Sequence, residues 1–486
     1  MTACNNDGKN GKAPFLKIWL GFFAYAVLVA LAIQFIILPY IFPAWHAGNG
    51  LLKGLDCVWF HQLAVELAEK IHREGWSAWE LRPSNQAPAG IAGAIYAITV
   101  PKLWTTIPLN AALHATAALV LLRILLIFTS RWRVAILFVL PFLMYPSAVT
   151  WYAQNHKDQY SILGAFLFAY GWLLLARMDT WQHNWWKPCK SIVLIVCGTV
   201  LCWIVRPYLV DLLQRSGVLL ALFVTGACMV WVTRRHFPWY RAALAVILIW
   251  FIVYAMNPSI LPGSRIFFAN EGKERKVDNM VSDRVIGDRE IKADNQKFNS
   301  KIIEVLSGYV PDPVIRMIKF GETKLGFLAR YREDYIRGYP DAKSYIDKNI
   351  ALWNMDDYVL YMPRAAEIAF LAPFPNMWFE QGSSDQNTLM RRISAFEMII
   401  VYICLLGMPL AIWCFYRRSE FWVIIIFCSS ILLIYGFGMP NAGTLYRMRY
   451  GYMMILVAVG LTGFYSFWQA LQKKRRSTVA PQSILK

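Results

Sequence analysis

Four short polar segments interrupt the apolar runs of this 486-residue chain, and each carries side chains able to do chemistry. The first reads Leu55-Asp56-Cys57-Val58-Trp59-Phe60-His61. Phe60, Leu63, Ala64, Leu67 and Ile71 recur at helical spacing, while Glu66, Lys70 and Arg73 fall on other faces. That pattern predicts an amphipathic helix lying on a membrane surface. Asp56 at its start is either an N-cap or a carboxylate held ready as a general base. The two roles are compatible, because one oxygen can cap while the other stays free. The second segment, Trp151 to Asp158, packs His156, Lys157 and Asp158 between two apolar runs. Its plainer reading is a solvated turn with a Lys–Asp pair.

Arginines mark the other two segments. Arg206 ends an apolar run and precedes Pro207 and Tyr208, and Arg447 and Arg449 flank Met448. Arginine's planar fork matches phosphate oxygens, and charge at membrane depth usually faces a protein cavity. The plainer reading is snorkelling to lipid head groups. Arg447 and Arg449 are two apart, so on a helix they point in different directions and on an extended segment to one side. One of them is therefore expected as a phosphate ligand and the other as an anchor for its loop. Glu380 follows the proline-broken apolar stretch Ala369–Phe379, which cannot span a membrane and could shape a lipid entrance. His61, His156 and Glu380 complete the candidates. His46, His61, His72 and His156 do not have a diagnostic metal-ligand spacing, and no metal site is assigned.

The elements that must position these groups follow from composition. Hydrophobic residues make up 57% and charged residues only 16% of the chain, and the mean hydropathy is +0.40. Disorder, a fibre, a small disulfide scaffold and an ordinary soluble enzyme are excluded. The apolar runs are about 15 to 25 residues long, enough to cross a bilayer. We read ten spans: Ile18–Phe42, Leu109–Phe128, Val134–Ala153, Tyr160–Ala176, Ser191–Val205, Gly217–Val232, Ala242–Met256, Ala395–Tyr416, Phe421–Met439 and Gly451–Leu471. The first is read as an anchor and not as a removed signal peptide. A stretch including Ala87–Val100 is too short to count and is read as a surface helix.

The fold class expected is thus an all-α polytopic membrane protein with outer juxtamembrane helices and a large outer loop domain. Residues 1–256 form a seven-span module whose first outer loop is 43–108. Residues 257–394 form the outer loop domain, and 395–486 a three-span module with a basic tail. Putting the N-terminus inside collects most of the net charge of +19 on the cytoplasmic segments, as the positive-inside rule requires. Both termini are then cytoplasmic. The outer loop domain is nearly balanced in charge. The basic pI therefore reports topology, and no nucleic-acid partner is expected, since no binding motif is present. Of the nine cysteines only Cys57 falls clearly outside, which leaves no outer disulfide framework. P-loop, H-E-x-x-H, G-x-S-x-G and C-x-x-C signatures are missing.

The layout resembles the GT-C membrane glycosyltransferases, the group that includes protein O-mannosyltransferases and lipid A aminoarabinose transferases. The resemblance rests on Asp56 after the first span, a surface helix after it, Pro88-Ala89-Gly90 and Tyr96, then Leu109-Asn110-Ala111 and the short loop with Lys157-Asp158. Pro373-Phe374-Pro375 together with Asn441 to Arg449 is similar to uncharacterised members from bacterial surface-polysaccharide clusters. The first loop departs from the family in having a lone aspartate in place of an acidic pair. The resemblance implies a bacterial inner-membrane enzyme whose outer face moves a sugar from a polyprenyl-phosphate donor to a glycan or lipid acceptor. Asp56 would be the base, with Asp158 supporting or replacing it. Lys157, Arg206, Arg447 and Arg449 would surround the donor phosphate. No cofactor is required in principle, and a divalent metal is allowed but not indicated. Within the same class stands a lipid-linked glycan polymerase or ligase. A transporter or flippase would call for inverted repeats, and a non-catalytic assembly subunit would leave these charged residues dispensable.

Overall fold

The computed structural model describes residues 13–54, 56–177, 186–235, 239–257 and 328–479, with positions 305, 310, 311 and 315. Most of 258–327, the first half of the expected outer domain, lies outside the described residues, as do the first 12 and last seven positions. Among the described residues the regular elements are helices, joined by turns and loops, with two isolated bridges, His46 with Leu52 and Tyr345 with Asn441. In order the helices are α1 (Phe15–Ala32, continued by a π-helical stretch Ile33–Ile41), α2 (Asp56–Glu74), α3 (Ala87–Ile98), α4 (Ile107–Leu125), α5 (Trp132–Met144) and α6 (Pro146–Tyr152). There follow α7 (Asp158–Leu175), α8 (Trp186–Val205), α9 (Leu209–Arg235), α10 (Trp239–Ala255) and α11 (residues 328–338). The last five are α12 (Met355–Leu371), α13 (Asp385–Leu405), α14 (Met408–Phe415), α15 (Ser419–Gly438) and α16 (Ala442–Val479).

Among the described residues, seven helical stretches are long and apolar enough to cross a bilayer: Phe15–Ile41, Leu103–Leu125, Pro188–Val205, Leu209–Val230, Asp385–Phe415, Ser419–Gly438 and Ala442–Arg475. Residues such as Leu28, Ile247, Phe251, Phe396 and Leu406 expose more than half of their surface on the outside of the bundle. An apolar exterior of this kind suits lipid and not water. The protein is an all-α polytopic membrane protein.

Two expected elements take a different form. Val134–Ala153 is two helices, α5 and α6, bent by 70°. Pro146 begins α6, and the residue before a proline is pushed from helical to extended backbone; Tyr145 has ψ 121. The span expected at Ala395 begins ten residues earlier, at Asp385, where the Ser384 side chain accepts from the Asn387 backbone N–H. It is interrupted at Gly407, which packs so tightly on Gly460 of α16 that a Cβ there would strike the Gly460 carbonyl.

The seam that matters most for function joins α7 to α8. The two run antiparallel, and a side chain at Gly164 would meet the Gly198 carbonyl at 2.7 Å, as one at Gly171 would meet that of Ser191. Small residues let backbones approach in this way. The antiparallel register sets the first residue of α7, Asp158, beside the residue that follows α8, Arg206. At the other pole of the bundle, Arg177 and Arg418 converge on Glu420, at 3.6 and 3.2 Å.

Candidate active site at one pole of the bundle

The α7–α8 seam closes on an ion pair. Arg206 donates from Nη2 to Asp158 Oδ1 at 2.8 Å, with 8% and 4% of the two side chains exposed. Arg82, reaching up from the loop before α3, holds the end of α8 by donating to the carbonyls of Trp203 and Ile204. Those carbonyls are the unsatisfied acceptors of a helix C-terminus, so Arg82 fixes where Arg206 begins.

The loop Gln154–Lys157 is fastened on every side by amides. Gln154 donates to the Gly50 carbonyl and accepts from the Leu52 N–H. Asn155 donates to the Pro88 carbonyl. Asn110 of α4 donates to the Gln154 carbonyl and accepts from Gln159. Its seven-residue neighbourhood thus ties the first outer loop, α3, α4 and α7 together, and leaves the side chains of His156 and Lys157 directed at the ion pair.

Asp56 and Arg447 complete the cluster. Asp56 is the first residue of α2, at the positive end of that helix. Arg447, on the first turns of α16, stands 3.9 Å from Asp56 through Nη2 and 3.9 Å from Asp158 Oδ2 through Nε. Both separations exceed a hydrogen bond, so Arg447 lies between the two carboxylates without being consumed by either. Together with Phe60, His156, Lys157 and Tyr208 these groups enclose a cavity of about 140 Å³. The Lys157 ammonium also sits 5.5 Å above the Phe60 ring.

Its electrostatics favour an anion. Burial holds the His156 imidazole well below its ordinary pKa, so it is neutral near pH 7. Burial, reinforced by Arg206 and opposed by Asp56 and Asp158, pushes Lys157 down to about 8. Three cations then face two carboxylates around one small space. Asp158 Oδ2, Arg447 Nε and His156 Nε2 are buried there without a hydrogen-bond partner. An unmet buried polar atom costs about 1–3 kcal/mol, and three around one cavity mark a place for a polar ligand.

Not every candidate converges here. Arg449, 1% exposed, directs its fork away from the cavity to the carbonyls of Ile368, Ala369 and Ala372, at the end of α12. Both arginines lie on the helix α16, where residues two apart diverge. His61 pairs through Nδ1 with the Tyr96 hydroxyl at 2.9 Å, between α2 and α3. Glu380 pairs with Arg391 at 3.2 Å on the surface. Among the described residues no group of three or more His, Cys, Asp or Glu is placed to hold a metal. Phe60, Tyr208 and Arg82 were not among the sequence candidates. Phe60 was visible only as a core position of α2, Tyr208 only as a neighbour of Arg206, and nothing in the local sequence marks Arg82.

Family models, curated proteins and solved structures were all compared with this chain, and none matches.

Proposed function

We propose that the chain is a bacterial inner-membrane glycosyltransferase of the GT-C kind, taking a sugar from a polyprenyl phosphate and passing it to an acceptor hydroxyl. The carrying observation is the single cavity in which Asp56, Asp158, Lys157, Arg206 and Arg447 converge at one pole of a membrane helix bundle. A polyprenyl phosphate has its charge at the edge of the bilayer and its chain in the lipid, which suits a cationic pocket at such a pole. On this reading the bundle spans the membrane ten times, counting α5 with α6, α7 and α10. The pole with Asp56 faces the periplasm and both termini the cytoplasm.

The reaction assigns a role to each group. The acceptor hydroxyl gives its proton to the half-exposed Asp56 carboxylate, and its oxygen forms a bond to the anomeric carbon. The bond from that carbon to the phosphate oxygen breaks, and its electron pair leaves on the phosphate. Arg447 and Lys157 offset the developing charge, while Asp158 holds Arg206 in place. No cofactor enters this scheme.

Arg447→Ala tests it. Turnover with a polyprenyl-phosphate sugar is expected to fall by about 10²–10³-fold, as for loss of one donor to a developing anion. Binding of farnesyl phosphate, a short leaving-group analogue, should weaken in parallel. Arg447→Lys should recover only part of the loss, because lysine keeps the charge and not the fork. Undiminished binding and turnover in Arg447→Ala would remove the phosphate from this cavity.

A further inference from the structure

Arg447 also lines a second, larger cavity of about 380 Å³, a size usual for small-molecule sites. The cavity lies where α6 and the starts of α13 and α16 meet the segment 342–344. That segment is tied to the start of α16. Tyr345 bridges Asn441, the Asn441 amide donates to the Ser344 hydroxyl, and the Ala442 N–H donates to the Ser344 carbonyl. Lys343 is thereby held on the wall. Arg391, on the second turn of α13, joins it by donating to the Lys343 carbonyl at 3.3 Å.

Three cations, Lys343, Arg391 and Arg447, therefore line this space, and among the described residues no carboxylate lines it. Lys343 makes no ion pair among the described residues. Arg391 pairs with Glu380 at 3.2 Å, but that carboxylate is 53% exposed and lies outside the lining, so water weakens its compensation. Arg447 stands 3.9 Å from Asp56 and Asp158, beyond a hydrogen bond to either. The excess of charge is positive.

The rest of the wall has the chemistry of a sugar site. Trp151 contributes an aromatic ring, Gln386 and Asn387 amides, and Thr150 and Ser383 hydroxyls. The Gln386 amide and the Trp151 indole N–H make no hydrogen bond among the described residues. An aromatic ring packs on the apolar face of a pyranose, and amides bond its hydroxyl edge. A neutral sugar would leave the cations without a counter-charge. A bare lipid phosphate would leave the ring and the amides unused.

We propose that this cavity is the acceptor subsite and that it selects an acidic saccharide, one whose ring carries a carboxylate or a phosphate, through Lys343 and Arg391. The arginine fork matches either anion. The inference rests on the transferase reading only in calling the bound sugar the acceptor. Arg447 borders both cavities and sets the two ligands side by side, each in its own space.

Three disaccharides of one size test this on the full-length protein in detergent. They are cellobiose, cellobiose oxidised to a uronate on its non-reducing ring, and cellobiose phosphorylated on that ring. An acidic disaccharide is expected to bind about tenfold more tightly than cellobiose, the worth of one charge-assisted hydrogen bond. Whichever acid binds more tightly names the anion. Lys343→Gln and Arg391→Gln should each remove most of the preference and leave cellobiose binding unchanged. Neither should alter melting or the binding of farnesyl phosphate. Equal binding of all three disaccharides to the wild type overturns the proposal, and so does a preference that both variants keep. Competition between the acidic disaccharide and farnesyl phosphate also overturns it, since the acid would then occupy the smaller cavity. Displacement of the acid by phosphatidylglycerol would give the larger cavity to a lipid head group and overturn it as well. Should the wild type prefer the acidic disaccharide but not bind farnesyl phosphate, the acidic subsite stands and the donor reading falls.

Discussion

Asp158→Ala is expected to abolish transfer and to destabilise the protein by about 3–5 kcal/mol, the usual consequence of removing one partner from a buried ion pair. Arg206 and Asp158 are both nearly inaccessible. Without the carboxylate, the guanidinium would remain buried with no counter-charge at the end of the α7–α8 seam. The size of the effect comes from the uncompensated charge and not from the attraction of the pair, which desolvation largely offsets. The double variant Asp158→Leu with Arg206→Met separates the two. Replacing a buried pair by apolar groups of similar volume is often neutral, so this protein should melt near the wild-type temperature in detergent and still fail to transfer sugar. If Asp158→Ala alone melts like the wild type, the pair does not hold the seam, and the positioning role given to Asp158 is lost.

Asp56→Asn is expected to lower turnover by about 10²–10⁴-fold, the range for loss of a general base, and to leave melting unchanged. Asp56 lies at the start of α2 with 58% of its side chain exposed, and asparagine serves as well as aspartate at a helix start. The wild-type rate should also decline as pH rises through about 8, because Lys157 is charged below that value and neutral above it. An anion site holding one less cation grips the phosphate less firmly. Lys157→Arg should carry full charge through that range and remove the decline. Wild-type turnover in Asp56→Asn would reduce Asp56 to a helix cap and leave the base to be sought elsewhere.

Arg447 and Arg449 show how far the sequence could go. Their spacing already implied that on a helix they would diverge. It could not say which would face the site, since that depends on how α16 is rotated against α12 and α13. The structure turns Arg449 toward the end of α12 and Arg447 toward Asp56 and Asp158. Arg82 was beyond reach altogether, because its partners are backbone carbonyls more than 120 residues away. A contact of that kind leaves no periodicity or motif behind it.

Apolar runs, their helical periodicity and the charged residues at their ends are local properties, and local chemistry is enough to specify them. An all-α membrane bundle, the amphipathic helix from Asp56 and the polar breaks at Lys157, Arg206 and Arg447 were therefore determined by the sequence itself. Convergence of those breaks was decided only by packing. The glycine seam of α7 and α8 fixes one pair, and the amide web around Gln154 brings the first loop to it. Each depends on which surfaces of distant helices fit together, and a residue's sequence neighbours carry no information about that.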